Sequence, residues 1–374
     1  MHESRQPTII IIGGGPAGSA AAIELLRRRV GRVQLFDRSV YPRLKVCGSG
    51  LSPNALAILE SLEMKDKLAP KHLHMRGVTA IGPGGRSIVL RGQYGAWVVP
   101  RTELDADLLG EARHLGAEIH EGTRVRGLLR DETGRVRGVR TDDDEFEADL
   151  VICANGSPSE FERDTTPREG IRTIMGWWKG ANLPAPDQGI FDWSRKLDGY
   201  YAWAFPEPGG VVNIGLTIEE SSPHGHGIRG LFQDILDEDF ADVLAGADQL
   251  GKWKGHPATV TTRISGELVE SHCMWVGEAA RLVCPGTVEG IGFALLSGRI
   301  AAGLIEKHFD PRRGFLPRHA QLYRAKLAMR MLPQFLAGEA FVKLMRSRGT
   351  VDLLAKVFDP QRMGQLAATF VGER

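Results

Sequence analysis

Residues 8–37 contain the feature that most limits what this chain can fold into. A run of β-branched residues at 8–12 leads directly into the glycine pattern Gly13-x-Gly15-x-x-Gly18. An alanine-rich helical segment follows, and a second apolar strand then ends on an acidic residue, Asp37. This order of strand, turn, helix, strand and acid predicts a β-α-β unit that binds an adenine dinucleotide.

Each motif position of this unit has its own physical role. Gly13 permits the tight turn, Gly15 lets the backbone approach a pyrophosphate, and Gly18 lets the helix pack close to the strand. The helix N-terminus offers unpaired N–H groups and a positive dipole end to the phosphates. The carboxylate of Asp37 would accept hydrogen bonds from ribose hydroxyls. The alternative is a glycine-rich turn without a ligand, but the agreement of these features favours a dinucleotide site.

Composition and charge exclude several classes of protein. A chain of 374 residues suffices for about two domains, and 42% hydrophobic with 25% charged residues is ordinary for a globular protein. The net charge of +1 gives no basic field, so we expect no nucleic-acid partner. Four cysteines are too few for a disulfide scaffold, and we see no signal peptide or transmembrane segment. We therefore expect a cytoplasmic protein, with peripheral membrane contact left open.

The order of strand and helix patterns predicts a discontinuous nucleotide domain with a second domain inserted into it. The expected fold class is α/β: a Rossmann-like βαβ domain with a mixed sheet, an inserted antiparallel β-sheet substrate domain and a C-terminal helical tail. We predict the nucleotide domain at residues 1–75, 98–160 and 266–310, the substrate domain at 76–97 and 161–265, and the helical region at 311–374.

Three further motifs accompany the glycine pattern. They are Lys45-Val-Cys47-Gly48-Ser49-Gly50, then Tyr201-x-Trp203-x-Phe205-Pro206, and finally Gly277-Glu278-Ala279-Ala280 with Pro285-Gly-Thr-Val-Glu289-Gly290-Ile291. Together the four motifs resemble those of the geranylgeranyl reductases, in the flavoprotein superfamily that includes p-hydroxybenzoate hydroxylase. The Cys-Gly and Tyr-x-Trp-x-Phe-Pro segments are the more selective, and they favour the reductase branch.

The resemblance implies that the Rossmann-like domain binds FAD. Besides Gly13 and Gly15, it implies FAD contacts at Ala17, Gly18, Asp37, Cys47, Gly48 and Gly50, with Arg101 at the phosphate or ribityl region, the Val125 backbone at the adenine, Glu278 on the ribityl chain, and Gly290 and Ile291 at the ring. Two positions depart from the family pattern. Glu278 stands where Asp is usual, and Val288 stands where Gly is common, which limits how closely that backbone approaches the ring.

Cys47, Tyr201 and Trp203 are the catalytic candidates. Tyr201, Trp203 and Phe205 alternate along a predicted strand, so they share one face and would wall an apolar cavity opposite the flavin. An ordinary aromatic core is the alternative. Cys47, near Lys45, is expected to line the same cavity; a buried structural cysteine is its alternative, and a redox pair with Cys284 is less favoured.

The resemblance implies a reductase that saturates carbon–carbon double bonds of a prenyl or similarly apolar substrate, with hydride from the reduced flavin. Electrons would come from NAD(P)H or from a separate electron-transfer protein. The alternative is a flavin-dependent monooxygenase or halogenase acting on an aromatic or natural-product substrate. A halogenase would be expected to carry Trp-x-Trp-x-Ile-Pro, and a hydroxylase Asp-Gly where Asn155-Gly156 stands. A flavin carrier without activity is a third class.

Two other patterns carry weaker signals. Gly225-x-Gly227-x-x-Gly230 follows no strand pattern, so we do not expect an NAD(P) site there. His72-x-His74 and His224-x-His226 have metal-ligand spacing, but no further Cys/His pair completes a tetrahedral set. We expect these histidines to be solvated in loops and to bind no metal.

Overall fold

The computed structural model describes residues 6–161, 169–223, 227–260, 264 and 267–347. Its strands are β1 (Thr8–Ile12), β2 (Arg32–Phe36), β3 (Gly50–Leu51), β4 (Leu73–Ile81), β5 (Ser87–Val98), β6 (Glu118–His120), β7 (Gly127–Arg130), β8 (Val136–Arg140), β9 (Glu145–Glu147), β10 (Leu150–Cys153), β11 (Glu169–Lys179), β12 (Gln188–Asp192), β13 (Ala202–Glu207), β14 (Val211–Glu219), β15 (Asp248–Val260), β16 (Val269–Glu270) and β17 (Cys273–Trp275). Its α-helices are α1 (Pro16–Arg27), α2 (Pro53–Ser61), α3 (Lys65–Leu68), α4 (Arg101–His114), α5 (Ile228–Glu238), α6 (Ala241–Leu244), α7 (Ile291–His308) and α8 (Pro317–Arg346).

The first sheet has the strand order β16-β17-β10-β1-β2-β6 and is parallel except for the β16–β17 pair. Residues 9–12 of β1 are buried without alternation, as expected for a central parallel strand covered on both faces. Helix α1 packs against α4 and α7, and small residues allow the close approach. A Cβ atom at Gly298 of α7 would lie 2.3 Å from the carbonyl oxygen of Ala17. The β-α-β unit is thus held at the centre of this layer.

The second sheet has the strand order β15-β11-β14-β13-β12-β4-β5-β3. The prediction of an antiparallel sheet holds for all of these pairs except β12 with β4, which run parallel. The sheet is formed by two separate parts of the chain, β3 to β5 and β11 to β15. The two parts meet where β12 runs beside β4 in the same direction. Helix α5 covers one face through Phe232 and Ile235. The other face bears Met75, Val78 and aromatic residues.

Helix α8 connects the two sheets. Tyr323, Leu327 and Phe335 are buried in the core of the first sheet. Near the C-terminal end, the Phe341 ring meets Trp193 of the second layer with centroids 5.4 Å apart. The expected helical tail is therefore a bridging helix up to Arg346.

Some sequence expectations need correction or lie outside the described residues. His72 lies in the expected loop, directly before β4, but its ring is not free in solvent, and His74 is not in a loop. The His72 ring stacks on Trp97 with centroids 3.7 Å apart, and His74 lies on β4. The pair 224/226, Gly225 of the second glycine pattern, and the tail 348–374 fall outside the described residues. The division into domains stays a prediction, because β3 joins the second sheet from within the predicted nucleotide domain.

Candidate functional site

A single cavity of about 850 Å³ runs from the carboxyl end of β1 to the face of the second sheet. This volume lies in the range of small-molecule and cofactor sites. The residues that sequence analysis singled out and that line it are Gly13, Gly15, Ala17, Asp37, Cys47, Gly48, Gly50, Arg101, Val125, Tyr201, Trp203, Glu278, Gly290 and Ile291. The cavity therefore collects motifs that lie more than two hundred residues apart in the chain.

The turn at residues 13–18, here called the glycine turn, has no room for side chains at two of its positions. Gly13 has a φ of +106°, and a Cβ there would lie 2.4 Å from the carbonyl oxygen of Ala154. A Cβ at Gly18 would lie 1.9 Å from the carbonyl oxygen of Gly13. A Cβ at Gly15 would meet no atom nearer than Nη2 of Arg43, at 3.6 Å. The backbone at Gly15 thus faces open space in the cavity.

The N-terminus of α1 lacks the partners that usually satisfy a helix end. Its N-cap is Gly15, Pro16 is the first helical residue, and the first turn contains no acidic side chain. Its first N–H groups are therefore left for a ligand. This arrangement fits the diphosphate of a dinucleotide.

Asp37 lies beside the glycine turn and fixes the adjoining loop. Its Oδ2 accepts hydrogen bonds from the N–H of Gly14 and the hydroxyl of Tyr41, both at 2.8 Å. Its Oδ1 accepts from the N–H of Ser39 at 2.8 Å. A carboxylate has about four acceptor positions, so capacity remains for a ribose hydroxyl.

Asp105 holds two guanidinium groups at the cavity wall. Arg101 donates to both of its oxygens, at 2.8 and 2.7 Å, and Nη2 of Arg43 lies 3.1 Å from Oδ2. The Asp105 side chain is fully buried. Burial lowers the pKa of Arg101, but the Asp105 carboxylate and then Cys47 together outweigh it, so that pKa is raised. Both guanidinium groups are thus fixed in place by the Asp105 carboxylate.

The far part of the cavity contains Glu278 and the N-terminus of α7. Glu278 lies in the short 3₁₀ helix Gly277–Ala280. Burial raises the pKa of its carboxyl, although Lys45 and Arg101 oppose that shift. Gly290 is the N-cap of α7, without a side-chain cap, and Ile291 is its first residue. Val288 has a φ of +50°, which is rare for a β-branched residue. The family position that is commonly glycine is therefore strained here.

The aromatic chamber comprises Phe191, Trp193, Tyr201, Trp203 and Phe205, all of which line the cavity. Trp203 and Phe205 lie on β13, and Tyr201 directly precedes it. Nε1 of Trp203 donates to Oδ1 of Asn213 at 2.7 Å, and the Tyr201 hydroxyl donates to the carbonyl of Thr287 at 2.5 Å. These two polar atoms bond to the protein, whereas Nε1 of Trp193 has no partner among the described residues. Most of the chamber lining is therefore apolar ring surface.

Cys47 lies where a glycine-rich loop meets the chamber. The thiol is half-buried, lines the cavity and accepts a hydrogen bond from the N–H of Ser49 at 3.4 Å. Gly48 lets this loop pack closely on the Trp203 ring, since a Cβ at Gly48 would lie 3.1 Å from Nε1 of Trp203. Cys284 is buried against α8, its Sγ 3.7 Å from the carbonyl of Gln334, and burial raises its pKa. Both are free thiols.

Comparison with known proteins identifies this arrangement. A family model for an FAD binding domain matches residues 6–193, half of the chain. The chain is 31% identical over 338 residues to the menaquinone reductase of Mycobacterium tuberculosis, covering 82% of this chain and 78% of that protein. It is 25% identical over 372 residues to the digeranylgeranylglycerophospholipid reductase of Thermoplasma volcanium, covering 94% and 91%. The chain belongs to the geranylgeranyl reductase family of FAD-dependent oxidoreductases.

The fold of this family member agrees with that of a solved structure. A geranylgeranyl bacteriochlorophyll reductase-like protein from Thermoplasma acidophilum superposes with a TM-score of 0.77 over 99% of this chain and 92% of its own. At 21% identity this likeness concerns the fold. FAD is the cofactor of the family, and the cavity has the open turn and uncapped helix that its diphosphate requires.

Several residues at or directly behind the cavity wall of this reductase family member escaped sequence reasoning. Asp105 follows Arg101 at helical i,i+4 spacing, a signal that was present in the sequence. His256 and Thr217 lie on strands far from any motif, and nothing local marks them. Within the described ranges, no three metal-ligating side chains lie together, and no helix is long and apolar enough to cross a membrane.

Proposed function

We propose that this flavoprotein saturates carbon–carbon double bonds of a prenyl or similarly apolar substrate. When bound, reduced FAD supplies a hydride. The observation that carries the proposal is the continuity of the cavity, because the glycine turn and the aromatic chamber line the same cavity. A cofactor held at one end can thus meet an apolar chain held at the other.

The residues proposed to hold FAD follow the cavity from end to end. The glycine turn and α1 would bind the diphosphate, with Asp37 at the adenosine ribose and Val125 at the adenine. Arg101 and Glu278 would bind the ribityl region. The uncapped start of α7 at Gly290 and Ile291 would face the ring and favour negative charge there.

The aromatic chamber is proposed to hold the substrate chain and exclude water. Its rings offer apolar surface, and burial of that surface drives binding of an isoprenoid. The two curated relatives are named for menaquinone and digeranylgeranylglycerophospholipid, both of which carry isoprenoid chains. Those names support a prenyl-lipid substrate for this chain.

Cys47 is proposed to deliver the proton that alkene reduction requires. Its Sγ accepts a hydrogen bond from Ser49, so the S–H remains available to the cavity. The Tyr201 hydroxyl is less suited because its hydrogen bond is donated to the carbonyl of Thr287. We further propose that electrons come from NAD(P)H or an electron-transfer protein, and that the cytoplasmic protein meets its lipid at a membrane surface.

The experiment that tests the proposal begins with a flavin spectrum of the purified protein. Dithionite reduction without oxygen is followed by reoxidation with a panel of prenyl lipids, quinones and aromatic compounds. Reoxidation by a prenyl compound, with a product two hydrogens heavier, is the expected result. Products that form only with oxygen would instead establish the monooxygenase or halogenase alternative, and bound FAD without turnover would indicate a flavin carrier.

A further inference from the structure

The cavity has a polar edge that the proposed flavin contacts do not use. It comprises Lys45, Thr173, Thr217 and His256, all of which line the cavity. Thr173 of β11 stands opposite Thr217 of β14 on one side and His256 of β15 on the other. Directly opposed residues point to the same face of a sheet, so these three side chains form a row across neighbouring strands.

Lys45 brings a half-buried amine to this row; burial lowers its pKa, and the Glu278 carboxylate opposes that shift. Among the described residues its Nζ forms no ion pair, and its hydrogen bond goes to Nε2 of His256 at 2.5 Å. Burial, and then Lys45 itself, lowers the pKa of His256 to about 4, so the imidazole is neutral and accepts. Two N–H groups of the ammonium remain. Arg43 and Arg101, by contrast, already share Asp105.

Thr217 adds a second polar group that lacks a partner. Its Oγ1 is buried, and no group of the described residues hydrogen-bonds to it. Buried polar atoms in native proteins are normally satisfied. Thr217 stands two strands away from His256 in the same row, so its unused hydroxyl adds hydrogen-bonding capacity to the edge at which Lys45 lies.

We propose that the polar edge binds a phosphate-class anion distinct from the FAD diphosphate, carried by the substrate head group or by a nicotinamide dinucleotide. The inference rests on the proposed function. Three strand spacings separate β15 from β13, about 14 Å in a sheet. An amphiphile lying across the sheet would thus place its phosphate at Lys45 and its chain in the aromatic chamber.

The test uses FAD-loaded protein and measures dissociation constants for geranylgeranyl diphosphate, geranylgeraniol and NADPH. Lys45→Met keeps the stem length and removes the charge, while Lys45→Arg keeps the charge. Lys252→Met, an exposed lysine on β15, is the matched control. We expect Lys45→Met to weaken the diphosphate or NADPH at least about tenfold, as for loss of a charged hydrogen bond, and to leave geranylgeraniol within about twofold. The probe that loses affinity identifies the source of the phosphate.

Three results would overturn the anion site: an equal loss of FAD affinity, an equal loss for the alcohol and the diphosphate, or no change at all. If Lys45→Met does not fold, Thr217→Val removes one hydroxyl at constant shape, and its expected effect is about threefold on the same probe. If the wild type binds no prenyl compound, the proposed function fails. Competition between NADPH and inorganic pyrophosphate then still tests the polar edge by itself.

Discussion

The glycine turn and the aromatic chamber occupy opposite ends of one cavity, and different forces fix their shapes. The turn is built from backbone, and added Cβ atoms would collide with carbonyl oxygens at Gly13 and Gly18. The chamber is built from side chains on or next to the neighbouring strands β12 and β13, and its ring centroids are 5.0 to 6.2 Å apart. We infer that the turn tolerates almost no substitution, whereas the chamber accepts changes that alter the ligand more than the fold.

The largest effect is expected for Gly18→Ala. Its Cβ would lie 1.9 Å from the carbonyl oxygen of Gly13, so α1 would have to move off β1. We expect flavin to be lost on purification and the free energy of unfolding to fall by more than about 3 kcal/mol, measured by denaturant titration. Gly303→Ala is the control, because nothing lies within 4 Å of that site on α7. It should stabilise the helix slightly. Normal flavin content in Gly18→Ala would show that the glycine turn tolerates substitution as well as the aromatic chamber does.

A smaller effect, confined to chemistry, is expected for Cys47→Ser at the border of the two regions. If the thiol delivers a proton, the alkene-reducing rate should fall about a hundredfold while FAD affinity and thermal stability stay unchanged. Single-turnover reoxidation of the reduced flavin measures that rate. A variant that keeps the full rate would leave Cys47 as a wall residue.

The two ends also differ in how well sequence anticipates them. The glycine turn, α1 and Asp37 lie within thirty residues, so local spacing predicts the unit and its ligand class. The chamber could be predicted in part, because Tyr201, Trp203 and Phe205 alternate along one strand. Thr217 and His256 could not be predicted, since strand pairing between β11, β14 and β15 places them in one row, and of the two only His256 is hydrogen-bonded to Lys45. Local patterns contain no information on that pairing.

The glycine turn and the second sheet also differ in how their buried carboxyl groups are paired. Near the glycine turn the buried Asp105 is paired, whereas Glu207 at the end of β13 is buried with a single hydrogen bond from Trp177. Burial raises the pKa of Glu207 from 4.5 to about 7. The folded state therefore binds the proton more tightly than the unfolded state does. Stability from this group is fully present below about pH 4.5 and is lost as pH rises to about 7.

Glu207→Gln should remove that loss. The wild type is expected to lose about 3 kcal/mol from this group between those pH values, and the variant should not. Urea titrations at several pH values measure the difference, with the exposed Glu132→Gln as control. Parallel pH profiles for Glu207→Gln and the wild type would show that the burial of Glu207 does not determine the profile.

The smallest expected effect concerns Val288, where a side chain occupies a backbone conformation suited to glycine. Its φ of +50° strains a β-branched residue, yet the side chain packs beside Tyr201 and Val283. Val288→Ala and Val288→Gly both remove this packing, but glycine alone also removes the strain. We expect Val288→Gly to be more stable than Val288→Ala by about 1 kcal/mol, despite its greater freedom when unfolded. If Val288→Ala is as stable as Val288→Gly or more stable, the loop at Val288 is not strained. Backbone geometry would then limit substitution at the glycine turn but not at this loop.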